Sequence, residues 1–438
     1  MLLWFLVAVP LVAGVTLLVT RVATTVAIAT AAVTVVLSVA AAVTRPAVSV
    51  AYLDGISFGL RVDGLSAVMV VTVAVVLLAV LVFAAGEPNL GGRFYGLMLV
   101  FAAAMLVTVT ATTLVALLMA WEVMGAASYA LIGYWWREPR RVDSGTLAFL
   151  TTRAADVGLY LAAGAALAGG AAGLDLSRLA GLPDGWRDVV AAGLVVAALG
   201  KSAQLPFSFW LSRAMDGPSP VSALLHSATM VAAGAYLLLR MEPLLAATPW
   251  AAVLVAWAGA ATAVLLGAVA VVQRDLKQLL AASTCAQVGF MVLAAGVAGT
   301  AAGTAHLVAH AVTKSLLFLC AGAWLTALGT KNLAELRGAA RRHPVVGITF
   351  TAGTLALAGV PPLSLWVTKD HVLAAALHES LPLYLVGLAA AALSAAYAGR
   401  ALALVWASPA PERTQVPRAQ QVVLPPLAAG AVGLGVIG

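Results

Sequence analysis

Along this chain the hydrophobic and polar positions alternate on the scale of whole segments, with apolar runs of about 20 residues parted by short polar stretches from one end to the other. A run of that length crosses a hydrocarbon core of about 30 Å as a helix. The period-two alternation of a membrane strand is missing from the runs, so spanning helices rather than a barrel are expected. Fourteen spans are predicted, at about 2–20, 22–43, 64–85, 95–111, 113–135, 144–171, 188–205, 219–239, 248–272, 278–298, 301–328, 344–368, 382–407 and 421–438. One stretch has a different period. Val48 to Asp63 alternates and carries a turn signal at Asp54-Gly55, which predicts a small hairpin at the membrane surface.

Composition turns this pattern into a class. With 63% hydrophobic and 9% charged residues and a mean hydropathy of +1.04, the chain is an all-α polytopic membrane protein and not a water-soluble multidomain one. A net charge of +7 would suggest a nucleic-acid partner in a soluble protein, so the placement of the charge decides. One set of alternate loops holds Arg21, Arg93, Arg137, Arg140, Arg141, Arg213, Arg274, Lys277, Lys331, Arg337, Arg341, Arg342, Arg413 and Arg418. The other set holds only Arg45, Arg61, Arg178, Arg187 and Arg240. The basic excess is therefore topological. The arginine-rich side is expected to be cytoplasmic, both termini outward, and the host membrane the cell inner (plasma) membrane. No nucleic acid is expected; the lipid bilayer is. Leu2 to Thr20 lacks a basic start and a small-residue cleavage site, and reads as a retained helix. Cys285 and Cys320 lie in apolar helices without metal-ligand spacing and read as small core residues.

The candidate chemistry centres on Gly200 to Arg240, where Lys201 ends an apolar helix, Pro206 breaks it, and a further apolar helix carries His226. A lone ammonium in a span costs about 2.5 to 3.5 kcal/mol on insertion scales, so it needs a partner, a task, or an escape by snorkelling to the surface. Span twelve repeats the arrangement, with Pro361 and Pro362 ahead of Lys369 and Asp370. Two broken helices five spans apart run in opposite directions, which predicts two inverted five-helix repeats over 95–240 and 247–408. Residues 1–94 then form an N-terminal unit with the hairpin, and 409–438 a loop and last span. The other ionisable groups inside spans are Glu122, Asp156 one turn after Arg153, and the stripe His306, His310 and Lys314 at four-residue spacing. Arg153 and Asp156 read as a local ion pair. Each histidine alone could be a neutral, backbone-bonded residue, and His-x3-His could bind a metal with further ligands. Taken together, the three histidines, the lysines and acids and the two breaks fit a hydrated path for protons better. No phosphate loop, nucleophile elbow or cofactor fingerprint accompanies them, so no cofactor and no redox centre is expected in this chain.

The stretches WEVMGAASYALIGYW (121–135), KSAQLPFSFWLSRAMDGPSPVSALLHSATMVAAGAYLL (201–238), RDLKQLLAASTCAQVGFM (274–291), HLVAHAVTKSLLFLCAG (306–322) and AGVPPLSLWVTKD (358–370) resemble the antiporter-like membrane subunits of respiratory complex I, the NuoL type most closely, and the related Mrp cation/proton antiporters. The resemblance implies fourteen core helices in two inverted repeats, with helices seven and twelve broken. It implies proton transport within a NADH:quinone oxidoreductase, with other membrane subunits as partners. Glu122 would modulate Lys201; His226, His306, His310 and Lys314 would carry the central hydrophilic axis; Lys369 with Asp370 would form the exit; Asp156 would tune nearby charges. Related readings are a Mrp-type Na+/H+ antiporter subunit and the membrane partner of an inorganic-carbon uptake complex. NuoL-type subunits continue into a long lateral helix, and the sequence stops at Gly438 without one, so a shortened chain or one lacking the lateral clamp is expected.

Overall fold

The computed structural model describes residues 1–20, 24–53, 55–408 and 415–437. Arg21 and Arg413 of the charge count, and Asp54 of the expected turn, lie outside these described residues. The chain opens with α1 (Leu2–Val19) and α2 (Thr24–Thr44), followed by the antiparallel strands β1 (Ala47–Leu53) and β2 (Ile56–Arg61). Gly55 supplies the positive φ of +72° that the hairpin turn needs. Then come α3 (Gly64–Ala84), α4 (Gly92–Thr110), α5 (Leu114–Ile132) and α6 (Pro139–Ala168). The broken seventh and eighth spans are α7 (Asp184–Lys201) with α8 (Phe209–Ala214), and α9 (Ser219–Leu225) with α10 (Met230–Arg240). After the short α11 (Glu242–Ala246) follow α12 (Pro249–Val272), α13 (Leu276–Gly296) and α14 (Thr300–Leu328). The chain ends with α15 (Ala339–Arg342), α16 (Pro344–Ala358), α17 (Ser364–Glu379), α18 (Leu381–Trp406), α19 (Arg418–Val422) and α20 (Leu424–Ile437).

Among the described residues, ten helices are long and apolar enough to cross a membrane. The other predicted spans are helical but fall short for local reasons. Helix α6 carries Arg153 and Asp156, and α7 carries Asp184, Arg187, Asp188 and Lys201. Helices α16, α17 and α20 have only 15, 16 and 14 residues. Both proline breaks exist as discontinuities: α7 stops at Lys201 and α16 at Ala358, each followed by irregular backbone through Pro206 or Pro361-Pro362. A third break was not expected. The eighth span opens at His226–Thr229 without a proline, and side-chain hydroxyls take up the freed carbonyls: Ser227 donates to Ala223 O, and Thr229 to Leu224 O at 2.6 Å.

Helices α9, α10 and α13 are the most enclosed, and α14 packs beside them. Helix α14 packs on α13, α9, α16, α17 and α20, while α12 covers α13 from the other side. Elsewhere small residues let backbones meet. Gly158 of α6 faces Gly193 of α7, and a Cβ on either would collide with the other's carbonyl oxygen; Gly200 likewise leaves no room beside Ala155. Without a hydrophobic force between helices in lipid, this close approach is what holds α6 to α7.

Ion pairs respect the expected sides. Arg140–Asp216 (3.4 Å) and Lys331–Asp275 (3.1 Å) join loops of the arginine-rich face. On the opposite face Arg240 donates to both carboxylate oxygens of Asp63, at 2.9 and 3.0 Å, and Asp63 also caps α3 through Ser66 N at 2.9 Å. Burial works to raise the Asp63 carboxyl, but Arg240 and the Ser66 donors outweigh it and hold it at about 2, below its ordinary 3.8. Because the folded value is depressed, the stabilisation is present above the unfolded value and lost as pH falls from about 4 towards about 2. Thermal unfolding in detergent should therefore show a steeper loss of Tm over that window for the wild type than for Asp63→Asn; parallel curves would contradict the pairing.

Candidate functional site

Lys201 is the last residue of α7 and is fully buried. The close α6–α7 packing brings the short Asp156 side chain to it, with Nζ to Oδ2 at 2.9 Å. Trp121 of α5 completes the group: its indole N–H donates to Asp156 Oδ1 at 2.6 Å, and its ring lies 5.3 Å from the lysine nitrogen. A buried ammonium is thus matched by a buried carboxylate whose two oxygens are both engaged. Glu122, next to Trp121, is about a third exposed and accepts from Arg153 and from Tyr160 Oη at 2.9 Å. The expected pair between Arg153 and Asp156 is therefore replaced by two separate pairs. The reason is reach: the long guanidinium extends outward to the partly exposed Glu122, whereas the short Asp156 stays against α7. Glu122 does not touch Lys201.

His226 lies in the third break, buried between Trp210 and Phe318 at ring distances of 6.1 and 6.2 Å. The break is tied to α14 by Ser227 Oγ to Ser315 Oγ at 2.7 Å. On α14 the stripe His306, His310 and Lys314 is fully buried. Lys314 donates to Leu280 O at 3.1 Å and to Ser283 Oγ, both on α13. His306 Nδ1 meets Thr368 Oγ1 of α17 at 2.9 Å. Lys369, also buried, reaches back across the second break to Leu357 O at 2.8 Å, with Phe290 5.8 Å from its nitrogen and 5.7 Å from the His306 ring. Both ring nitrogens of His226 are buried without a protein partner, whereas a ring nitrogen of His310 faces the backbone of His226 and one of His306 that of Gln287. Asp370 is exposed and does not join this group. Among the described residues no cluster of three potential metal ligands surrounds the histidines.

Several polar groups of the interior escaped a search confined to ionisable residues within spans. Gln204 in the first break donates to Ser202 O at 2.9 Å and to Cys285 O of α13 at 3.3 Å. Gln287 donates to Ser394 Oγ and Tyr397 Oη at 3.0 and 2.9 Å. Amides inside apolar runs were the available signal. Lys277, counted among loop charges, is buried with its nitrogen on Gly217 O at 3.1 Å. Near it, in the α3–α4 turn, burial pushes the Glu87 carboxyl up to about 7 while Lys277 pulls it the other way.

The family model described as NADH:quinone oxidoreductase/Mrp antiporter, TM, matches residues 111–394. The chain belongs to that family. It is an antiporter-like membrane subunit of the complex I and Mrp type. NAD(P)H-quinone oxidoreductase chain 5 of Picosynechococcus sp. is 37% identical over 369 residues, which is 78% of this chain and 55% of that one. This chain therefore spans about half the length of such curated relatives. A chain of the Mrp complex from Dietzia sp. DQ12-45-1b superposes with a TM-score of 0.91 at 30% identity, over 100% of this chain and 50% of that one. A chain of respiratory complex I from Thermus thermophilus with bound NADH matches with a TM-score of 0.90 at 23% identity, over 100% and 96%, a likeness of fold.

The buried pair carries a quantitative expectation. Removing one partner, as in Asp156→Leu or Lys201→Met alone, should cost about 3 to 5 kcal/mol, whereas replacing both, as in Asp156→Leu with Lys201→Met, should cost much less. Denaturant or thermal unfolding of the four proteins of this cycle measures it; additive losses would mean that the two groups do not interact.

Proposed function

We propose that this antiporter-like subunit moves protons across the membrane within a complex I-like NADH:quinone oxidoreductase assembly. The observation that carries the reading is the run of buried polar groups between the two proline breaks, including the two ring nitrogens of His226, which no protein group satisfies. Such nitrogens can bond to water and pass protons along it, and imidazole titrates near neutrality when hydrated.

In this reading a proton enters from the arginine-rich face, taken as cytoplasmic, near Lys201. It passes His226 and the stripe of Lys314, His310 and His306, and leaves outward by Lys369, beside the exposed Asp370. The switch is a change of partner. An ammonium held against a carboxylate keeps its proton, and one left unpaired in an apolar setting gives it up. Arg153 lies one turn from Asp156 on α6, so its release from Glu122 would let the guanidinium compete for Asp156 and free Lys201. Glu122 thus acts on Lys201 at one remove, through Arg153. We infer no redox cofactor in this chain, so the driving force would come from partner subunits. Both termini would face outward from the cell's inner membrane, with 95–240 and 247–408 as the two repeats.

The full-chain likeness to the Dietzia Mrp structure at 30% identity favours one second reading, a Na+/H+ antiporter subunit. Proton flux into vesicles holding the native assembly separates the two. Lys201→Ala, Glu122→Gln and Lys314→Met should each lower flux at least about a hundredfold, the scale of losing one positioned proton-transfer group, with assembly intact. Flux that requires sodium would transfer the function to cation exchange, and unchanged flux in all three variants would sink the route.

A further inference from the structure

On the arginine-rich face, the start of α4 meets the end of α5 and the entry to α6, and a cleft of about 250 Å³ opens between them, lined by Arg93, Tyr134, Trp135, Trp136, Arg137 and Glu138. Tyr134 Oη accepts from Gly91 N at 3.3 Å, which fixes the α4 turn to the end of α5. Arg93 lies over the Tyr134 ring, its Cζ 5.4 Å from the centroid, and Arg137 over Trp136 at 5.1 Å. Neither arginine makes an ion pair or hydrogen bond with the chain among the described residues. The one carboxylate in the cleft, Glu138, is taken by Arg141 Nε at 2.6 Å. The cleft therefore presents two guanidinium groups supported by aromatic faces and free to donate.

Four observations define the occupant. The charge calls for an anion, and the planar fork of arginine donors suits phosphate oxygens. The depth is that of the headgroup layer, because α4 begins at Gly92 and α5 ends at Ile132. Trp136, 59% exposed, provides the amphipathic ring that sits at this level of a bilayer. The volume falls below the roughly 300 to 1,000 Å³ of pockets that enclose a drug-sized ligand. We propose that the cleft binds the phosphodiester headgroup of an anionic phospholipid, with Arg93 and Arg137 as its donors and its acyl chains alongside α4 and α5. A basic pocket between helix ends on this face is a recognised form of lipid recognition.

The test uses the full chain in neutral detergent, titrated with dioleoyl phosphatidylglycerol, dioleoyl phosphatidylcholine or inorganic phosphate, with retained lipid read by native mass spectrometry. Phosphatidylglycerol should be retained over phosphatidylcholine. R93Q/R137Q should bind it on the order of twenty-five-fold more weakly, about fivefold for each arginine near a charged surface. R213Q, which removes an exposed arginine of the same face outside the cleft, should bind it as the wild type does. If the double variant does not fold, R137Q alone should show about a fivefold loss. The proposal is overturned if R213Q weakens binding as much as the cleft variants do, if the cleft variants retain phosphatidylglycerol, or if inorganic phosphate displaces the lipid at equal concentration.

Discussion

The structure depends on one constraint: a lysine ammonium enclosed in a membrane protein must have its charge matched. Lys201 is matched by Asp156, beside the place where α6 and α7 come within backbone contact at Gly158, Gly193 and Gly200. Trp121 holds the second carboxylate oxygen, so three helices converge on one ion pair next to the place where α7 ends. The break and the pair belong together. Irregular backbone at this depth is tolerated where protein encloses it, and Gln204 and Trp210 bond to the carbonyls there, the latter to Gly200 O at 3.0 Å.

The second half handles its charges differently. Lys314 and Lys369 have no carboxylate partner among the described residues and rest on backbone carbonyls of α13 and α16. Helix α13 is where the halves meet, since Gln204 from the first break and Lys314 from α14 both bond to its backbone. A pair of carbonyls stabilises an ammonium less completely than a carboxylate does. Charge is therefore matched tightly at one of these three lysines and loosely at the other two.

Much of the fold was legible because lipid imposes long apolar runs and proline enforces helix ends. The two breaks at Pro206 and Pro361-Pro362, the surface hairpin and the stripe of His306, His310 and Lys314 all follow from local rules. The break at His226 did not show, because no proline or glycine marks it; hydroxyls supplied by Ser227 and Thr229 replace the lost helical bonds. Partner choice was also illegible. Spacing placed Arg153 beside Asp156, and only the packing of α5, α6 and α7 decides that each turns to a different helix. Lys277 read as a loop charge because it stands one residue into α13, and the Asp216–Gly217 turn folds over it.

The claim that joins these features is that the histidine line is hydrated and continuous between the two proline breaks. A cryo-EM map of the chain in its native membrane assembly, at a resolution that shows ordered water, tests it most directly. The account predicts water bonded to the free nitrogens of His226 and lining the His310 and His306 rings, forming a chain from Lys201 to Lys369. Histidine nitrogens sealed by apolar side chains, with no water between the lysines, would contradict it.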